Sequence, residues 1–163
     1  MRDRNGSTLR IAVQSNGRLP SYSLDLLRGI GLAFEDYERR LFARCRNFDV
    51  ELLFLRDDDI PEYVSDGVAD LGIVGLNVVR EQEADLEEMV PLGFGFCTLA
   101  LAVPKASPAS APADLAGTRI ATTHPRSLRR YLAAQGIAAD IIEVHGGAEI
   151  APSLDVADAI CDL

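Results

Sequence analysis

Cysteine and histidine are scarce in this sequence, and their scarcity excludes common kinds of metal site. The 163 residues include three cysteines, Cys45, Cys97 and Cys161, and two histidines, His124 and His145. The cysteines form no CxxC pair, and the spacing of a zinc site is absent. We therefore expect three reduced thiols in a cytoplasmic protein, and no metal held by protein side chains.

Long apolar runs and several nucleotide or catalytic fingerprints are also missing. No apolar run approaches the ~20 residues that span a bilayer, and the beginning, MRDRNGSTLR, lacks the apolar segment of a signal peptide. Neither GxGxxG nor a Walker P-loop occurs, and no serine lies in a nucleophile elbow. These absences argue against a membrane protein, a dinucleotide-binding fingerprint and a serine-hydrolase triad.

The charges are unbalanced in sign and in kind. Sixteen basic and 25 acidic side chains give a formal net charge of −9, with a pI of about 4.6. Such a field repels polyanions, so we expect no nucleic-acid and no membrane-surface binding. Fifteen of the basic side chains are arginine, and Lys105 is the one lysine. Because the planar arginine fork matches phosphate bidentately, a few converging arginines could still bind phosphates locally.

Strand and helix patterns alternate along the chain. Strands are predicted at Leu9–Gln14, Val50–Arg56, Asp70–Gly75, Leu99–Pro104, Arg119–Thr123, Ile141–Val144 and Ala157–Leu163. Helices are predicted at Ser23–Leu32, Pro125–Gln135 and Ala148–Leu154, and from Asn77 onward. The alternation predicts an α/β fold with mostly parallel sheets, in which ligands bind beyond the carboxyl ends of strands. No internal repeat is apparent.

The turns that follow these strands contain residues that suit anionic ligands. In Gln14–Leu19, small residues and glycine precede Arg18, which can pair with phosphate. Arg56 follows a strand directly, and Gly75 permits close backbone approach. The segment Thr122–Arg126 places two hydroxyls beside a helix N-terminus. Each turn could equally be a solvated loop or a simple helix cap, so the residues alone leave the roles open.

Two further features concern acidic residues and histidine. His145–Glu149 repeats the strand-to-helix arrangement on the next turn, where a lone histidine is more often structural than catalytic. Asp158 and Asp162 share one face of the last strand, but four residues correspond to about 13 Å. That distance is too long for a paired-carboxylate mechanism.

Together, these segments resemble the catalytic region of ATP phosphoribosyltransferase, the first enzyme of histidine biosynthesis. The resemblance lies in LRIAVQSNGRL, FLRDDDIPEYVSDGVADLGIVGLNVV, LGFGFCTLALAVP, DLAGTRIATTHP and GGAEIAPSLDVADAICDL, in the family's order within residues 9–163. It implies a two-lobed fold like the type II periplasmic binding proteins. Residues 1–93 would form lobe I, on the nucleotide side, and residues 94–163 lobe II, on the phosphoribosyl pyrophosphate side. The glycine-rich Leu92–Phe96 is a plausible hinge.

The resemblance also implies a reaction, a cofactor and partners. The family transfers 5-phosphoribosyl from phosphoribosyl pyrophosphate to N1 of ATP and releases pyrophosphate, with magnesium (Mg²⁺) on the substrate phosphates. Such a reaction needs oriented polyanions and charge neutralisation, and no protein nucleophile. A homo-oligomer is expected from the family, which occurs in a long form and in a short form that pairs with a regulatory subunit.

Eight residues match positions of the family's motifs and are expected to contact substrates; no catalytic residue is assigned. They are Arg18, Arg56, Asp70, Gly75, His124, Glu149, Asp158 and Asp162.

Several positions depart from the family pattern. Ser15 and Asn16 stand where members usually have a lysine, Thr98 replaces a frequent arginine and Asp155 a glycine. The family's VSTGxT loop, which binds the phosphates, would follow Leu163. We therefore expect a catalytic region truncated at its C-terminus and inactive alone. The alternative is a shortened, non-catalytic paralogue that binds nucleotide or a partner subunit; RDDDIP argues against a small-ligand binding protein.

Overall fold

The computed structural model describes residues 8–17, 19–35 and 41–163. The chain divides into two compact units, Met1–Gly95 (unit 1) and Phe96–Leu163 (unit 2). The boundary lies within the segment predicted as a hinge. On the unit 1 side of it, Phe94 stacks on Tyr22 with ring centroids 5.7 Å apart.

Unit 1 contains a four-stranded sheet with helices in its connections. Its elements are β1 (Leu9–Gln14), α1 (Leu19–Gly29), β2 (Phe42–Arg44), β3 (Val50–Leu55), a 3₁₀ turn (Asp57–Asp59), α2 (Ile60–Ser65), β4 (Leu71–Ile73) and α3 (Leu76–Gln82). The strand order is β2-β3-β1-β4. β1 pairs in parallel with both β3 and β4, and β2 is antiparallel to β3.

Unit 2 contains a second four-stranded sheet. Its elements are β5 (Ala100–Ala102), a 3₁₀ turn (Pro112–Leu115), β6 (Arg119–Thr122), α4 (Pro125–Gln135), β7 (Asp140–Glu143), a 3₁₀ helix (Ala148–Leu154) and β8 (Ala159–Asp162). The order is β5-β8-β6-β7. β6 pairs in parallel with β7 and β8, and β5 is antiparallel to β8.

The central strand of each sheet is buried because each unit packs helices or turns against it. In unit 1, Val13 and Leu52 pack with Leu24 and Leu27 of α1. In unit 2, apolar residues from β6, α4 and β8 form the corresponding cluster: Ile120, Leu128, Leu132, Ala159 and Cys161. The helical spacing of these α1 and α4 leucines, at i and i+3 or i+4, explains why one face of each helix is buried.

The three parallel strands have the same order in the two units, although no repeat was apparent in the sequence. In each, the first parallel strand occupies the centre, the second lies on one side and the third on the other. The antiparallel strand differs, since β2 pairs with the second parallel strand of unit 1 and β5 with the third of unit 2. The central strands share Arg-Ile-Ala (Arg10–Ala12 and Arg119–Ala121), and the third strands follow Val-Ala-Asp (Val68–Asp70 and Val156–Asp158). The spacing between the shared tripeptides differs between the units, because β2 is inserted in unit 1. A search for a fixed period therefore misses the repeat.

The α/β class and the predominance of parallel strand pairs are confirmed. Three elements have the predicted bounds, β1, α4 and Ala148–Leu154, but the last is a 3₁₀ helix with Pro152 inside it. Other elements differ at their ends; α1, for example, begins four residues earlier than predicted, at Leu19. A strand from Arg40 to Arg46, which the resemblance also implies, is shorter, at Phe42–Arg44, and Arg40 lies outside the described residues.

Among the described residues, no helix has both the length and the apolar character needed to cross a bilayer.

Candidate functional site

The candidate site of unit 1 lies where its three parallel strands end, here called the carboxyl edge of unit 1. The loop after β1 is tied to the end of β3, since the Ser15 N–H donates to the Leu55 carbonyl at 2.7 Å. Arg56 follows directly, and the loop after β4 leads to Gly75 at the start of α3. The structure thus brings Arg56 and Gly75 to the same edge of one sheet, as the sequence predicted for strand ends.

Arg56 is an exposed arginine at this edge. Its backbone is extended, at φ −69° and ψ 147°, immediately before the 3₁₀ turn Asp57–Asp59. Within the described part of the chain, its guanidinium makes no hydrogen bond and no ion pair. An arginine whose donors are not used internally is available for an anionic ligand.

The loop after β1 is shaped by Gly17. Its φ of +92° lies in the region that favours glycine, and a Cβ there would come within 2.8 Å of the Gln14 amide nitrogen. The glycine therefore lets the loop lie over the Gln14 carboxamide, whose Oε1 is buried and has no hydrogen-bond partner among the described residues. Arg18, the next residue and a predicted phosphate contact, lies outside the described residues.

Gly75 precedes α3 and is covered by a neighbouring side chain. A Cβ at Gly75 would meet Asn77 Oδ1 at 2.3 Å, so the Asn77 amide occupies the space beside the glycine. A ligand that approached the Gly75 backbone would have to displace this amide.

The carboxyl edge of unit 2 is organised by Thr122, the last residue of β6. Its buried hydroxyl donates to the Cys161 carbonyl of β8 at 2.7 Å and accepts the His124 N–H at 2.9 Å. His124 is half-buried at the N-cap of α4, and its Nδ1 lies 2.8 Å from the Thr123 hydroxyl oxygen. The N-terminus of α4, with its oriented N–H groups and dipole, therefore lies at this edge.

Two of the predicted acidic residues also lie towards this end of the sheet. Asp162 ends β8, half-buried, and its carboxylate accepts the Leu163 N–H at 2.9 Å. Glu149 is exposed in the first turn of the 3₁₀ helix that follows β7, after Gly147. Within the described residues the Glu149 carboxylate has no hydrogen-bond or ion-pair partner. Unit 2 thus gathers His124, Glu149 and Asp162 after the ends of its parallel strands.

Asp70 and Asp158 lie at the opposite, amino ends of the strands. The Asp70 carboxylate accepts the Arg10 N–H at 2.8 Å, and the Asp70 N–H donates to the Arg10 carbonyl at 2.9 Å. In unit 2, Asp158 makes the same pair of bonds with Arg119, both at 2.8 Å. We call each such pair of bonds a backbone clamp. The structure therefore does not bring Asp70 to Gly75, or Asp158 to His124, and their assignment as substrate contacts stays a prediction.

Two residues of unit 2 that sequence reasoning did not single out are central to its geometry. Thr122 was grouped with Thr123 as a hydroxyl available to an anion, but its hydroxyl is used internally. Arg119 holds both Asp158 and Asp155, with Nη2 at 2.9 Å and 3.1 Å from their carboxylates. The shared Arg-Ile-Ala and Val-Ala-Asp tripeptides are the sequence signal that could have revealed the Arg119 contacts.

The contacts between Arg119 and the two aspartates shift the pKa values in the backbone clamp of unit 2. Hydrogen bonds from the Arg119 side chain, and then from its backbone N–H, lower the pKa of Asp158 to about 2. The same side-chain bonds to Asp158 and Asp155 raise the pKa of Arg119 above its ordinary value. Both groups therefore stay charged at neutral pH.

The acid limb of the stability curve is expected to depend on Asp158. Because its pKa is about 2 when folded and about 3.9 when unfolded, the unfolded chain binds more protons between these values. The contribution to stability is complete above about pH 4 and is lost as the pH falls through about 2. Asp158→Asn should flatten the dependence of the free energy of unfolding on pH in this window, measured by urea denaturation.

Asp140→Asn is the matched control for this prediction. Asp140 is exposed at the start of β7, and its carboxylate makes no hydrogen bond within the described residues. Asp114, whose pKa is lowered by the N–H groups of Ser110 and Ala111, remains in both variants. An acid limb of Asp158→Asn as steep as that of Asp140→Asn would contradict the prediction.

In residues 8–17, 19–35 and 41–163, no three His, Cys, Asp or Glu side chains group so that they could hold a metal ion. The chain's own residues here do not fit a protein-held magnesium, and we derive no step through one.

The chain is similar in sequence and in fold to known proteins. The family model described as "HisG: ATP phosphoribosyltransferase" matches residues 56–163. The ATP phosphoribosyltransferase of Maricaulis maris is 46% identical over 96% of this chain and 55% of its own length. The chain thus spans about half the length of the curated relatives it matches.

Two solved structures support the fold. The ATP phosphoribosyl transferase (HisG:HisZ) complex from Thermotoga maritima matches with a TM-score of 0.73 and 30% identity, over 94% of this chain and 73% of that one. The periplasmic aliphatic sulphonate binding protein SsuA from Escherichia coli matches with a TM-score of 0.52 and 20% identity, over 94% of this chain and 50% of that one. The second likeness concerns the fold alone and confirms the expected resemblance to periplasmic binding proteins. By its family match and its structural likeness, this chain belongs to the ATP phosphoribosyltransferase family.

Proposed function

We propose that the chain is the substrate-binding region of an ATP phosphoribosyltransferase. It would transfer 5-phosphoribosyl from phosphoribosyl pyrophosphate to N1 of ATP and release pyrophosphate, the first step of histidine biosynthesis. The observation that carries the proposal is Arg56, an exposed guanidinium at the carboxyl end of β3 that is not used by any described residue. Family membership supports the reaction.

The proposed chemistry requires little more than positioning and charge neutralisation. The adenine N1 lone pair forms a bond to C1 of the ribose while the C1–O bond breaks, and pyrophosphate leaves with the bonding electrons. Arginine side chains and helix N-termini suit this task, because preorganised donors stabilise the charge that develops on the leaving group. No side chain needs to act as a nucleophile.

Each unit contributes its own contacts in this proposal. In unit 1, on the nucleotide side, Arg56 binds substrate phosphate and the Gly75 backbone lies beside the nucleotide, with Arg18 as a further contact. In unit 2, on the phosphoribosyl pyrophosphate side, His124 and the N-terminus of α4 bind an anionic group. Glu149 and Asp162 would accept hydrogen bonds from ribose hydroxyls. The amino-end positions of Asp70 and Asp158 favour a structural role for these two.

Magnesium and protein partners are part of the same proposal. Magnesium would be held by the substrate phosphates, where it would neutralise charge on pyrophosphate. We also propose a homo-oligomer and a regulatory subunit, supported by the Thermotoga maritima structure, which is a HisG:HisZ complex. A cytoplasmic location is supported by the three cysteines, which are all free.

Calorimetric titration and a product assay test this function together. We expect saturable binding of ATP and of phosphoribosyl pyrophosphate in the presence of magnesium. GTP should give no product, because its N1 already has a proton and offers no lone pair to attack C1. Absorbance of the N1-phosphoribosyl product would then show turnover. Product formation would show that the 163 residues are active by themselves, contrary to the expectation from the sequence, and binding of neither substrate would refute the proposal.

A further inference from the structure

Thr122 connects three segments at the carboxyl edge of unit 2. Its carbonyl accepts the Val144 N–H, just after β7, at 3.0 Å. Its hydroxyl bonds to Cys161 in β8 and to His124 before α4, as described above. The chain after β7, the end of β8 and the start of α4 are thus all held by one residue.

The two bonds fix the donor and acceptor roles of the Thr122 hydroxyl. A carbonyl only accepts, so the Thr122 proton points to Cys161, and an oxygen lone pair accepts the His124 N–H. The side chain is fully buried, so water cannot replace either bond. Removing the hydroxyl would take away both its bond to Cys161 and its bond to the His124 N–H, so these two bonds would no longer fix the segment between β6 and α4.

We propose that Thr122 is a positioning residue, which fixes His124 and the start of α4 relative to the end of β8, where Asp162 lies. Its effect on substrate binding rests on the proposed function. Its effect on His124 does not, because that effect follows from the hydrogen bonds alone. Thr122 itself is not expected to touch substrate, since it is buried beneath the residues that would.

The competing explanation is that the Thr122 hydroxyl only stabilises the strand. Thr118 provides the matched control, because its hydroxyl donates to the Leu115 carbonyl at 2.7 Å just before β6 begins. Thr118→Val removes the hydrogen bond of a half-buried threonine hydroxyl at the amino end of the same strand. It should lower stability without moving His124.

The experiment compares Thr122→Val, Thr122→Ser and Thr118→Val, with urea denaturation to establish that each is folded. The chain has two histidines, so NMR signals of the imidazole rings, assigned with His124→Gln, report His124 directly. We expect Thr122→Val to shift the ring signals of His124, and Thr122→Ser and Thr118→Val to match the wild type. Affinity for phosphoribosyl pyrophosphate with magnesium should fall at least fivefold in Thr122→Val only.

Two results would overturn the proposal: unchanged His124 signals in Thr122→Val, or equal losses of affinity in Thr122→Val and Thr118→Val. If Thr122→Val does not fold, the same signals are measured in Thr122→Ala, which also lacks the hydroxyl. If the wild-type chain binds no substrate, the proposed function fails, and the ring signals still decide the role of Thr122.

Discussion

Replacing Arg56 with alanine is expected to weaken substrate binding at least tenfold, which corresponds to about 1.4 kcal/mol. The guanidinium has no partner within the described residues, so its removal breaks no internal ion pair and should leave stability unchanged. A charge-assisted bond to phosphate would be lost, and such bonds are worth about 1.5–3 kcal/mol. Titration calorimetry with ATP and with phosphoribosyl pyrophosphate, each with magnesium, would show which substrate Arg56 contacts.

Two variants control for charge and for geometry. Arg44 ends β2 and pairs with Glu51, near the amino end of β3, at 3.3 Å, so Arg44→Ala removes the same charge far from the carboxyl edge. Its affinities should stay within about twofold of the wild type. Arg56→Lys keeps the charge but loses the planar fork, and we expect an intermediate loss. Wild-type affinities in Arg56→Ala would remove Arg56 from the site.

Leu128→Ala is expected to lower the free energy of unfolding by about 2–5 kcal/mol, as for other buried leucines. Leu128 is 1% exposed and packs in the core of unit 2 between α4 and the sheet. Urea denaturation measures the loss, and hydrogen exchange locates it. We expect faster exchange at amides of β6 and α4.

Ile150→Ala is the control for this truncation. Ile150 belongs to the same unit, in the 3₁₀ helix after β7, but is 54% exposed. Its truncation should change stability by less than about 1 kcal/mol, as expected for a surface substitution. A loss in Leu128→Ala no larger than in Ile150→Ala would show that Leu128 is not part of a packed core.

The fold could be predicted where the sequence contains a local signal. β1 is a run of apolar and β-branched residues bounded by turn residues, and α4 begins at Pro125 and ends before Gly136, which has φ +68°. Pro at the first position and Gly after the last are strong helix boundaries. The start of α1 was predicted too late, at Ser23, because Leu19 and Pro20 follow a glycine turn and resemble a loop.

The candidate site was predictable only in part. A motif shows where a residue lies along the chain, but not at which end of a strand the residue lies in the folded sheet. Arg56, Gly75 and His124 follow strands, and the structure places them at carboxyl edges. Asp70 and Asp158 precede strands, so each carboxylate accepts a backbone N–H near the start of the neighbouring strand, from Arg10 or Arg119. Thr122 was treated as available to a ligand, because the sequence does not show that Cys161 would be its neighbour 39 residues later.

The backbone clamp occurs twice in one polypeptide, with different surroundings. The Arg119 guanidinium returns to the same aspartate that its backbone binds, whereas the Arg10 guanidinium pairs with Glu51 at 3.3 Å. The clamp in unit 1 can therefore serve as a reference for the clamp in unit 2 within the same molecule. At a single temperature and buffer, the protection of the Arg10 and Arg119 amides compares a carboxylate–amide bond whose arginine side chain pairs with a glutamate with one whose arginine side chain returns to the same aspartate.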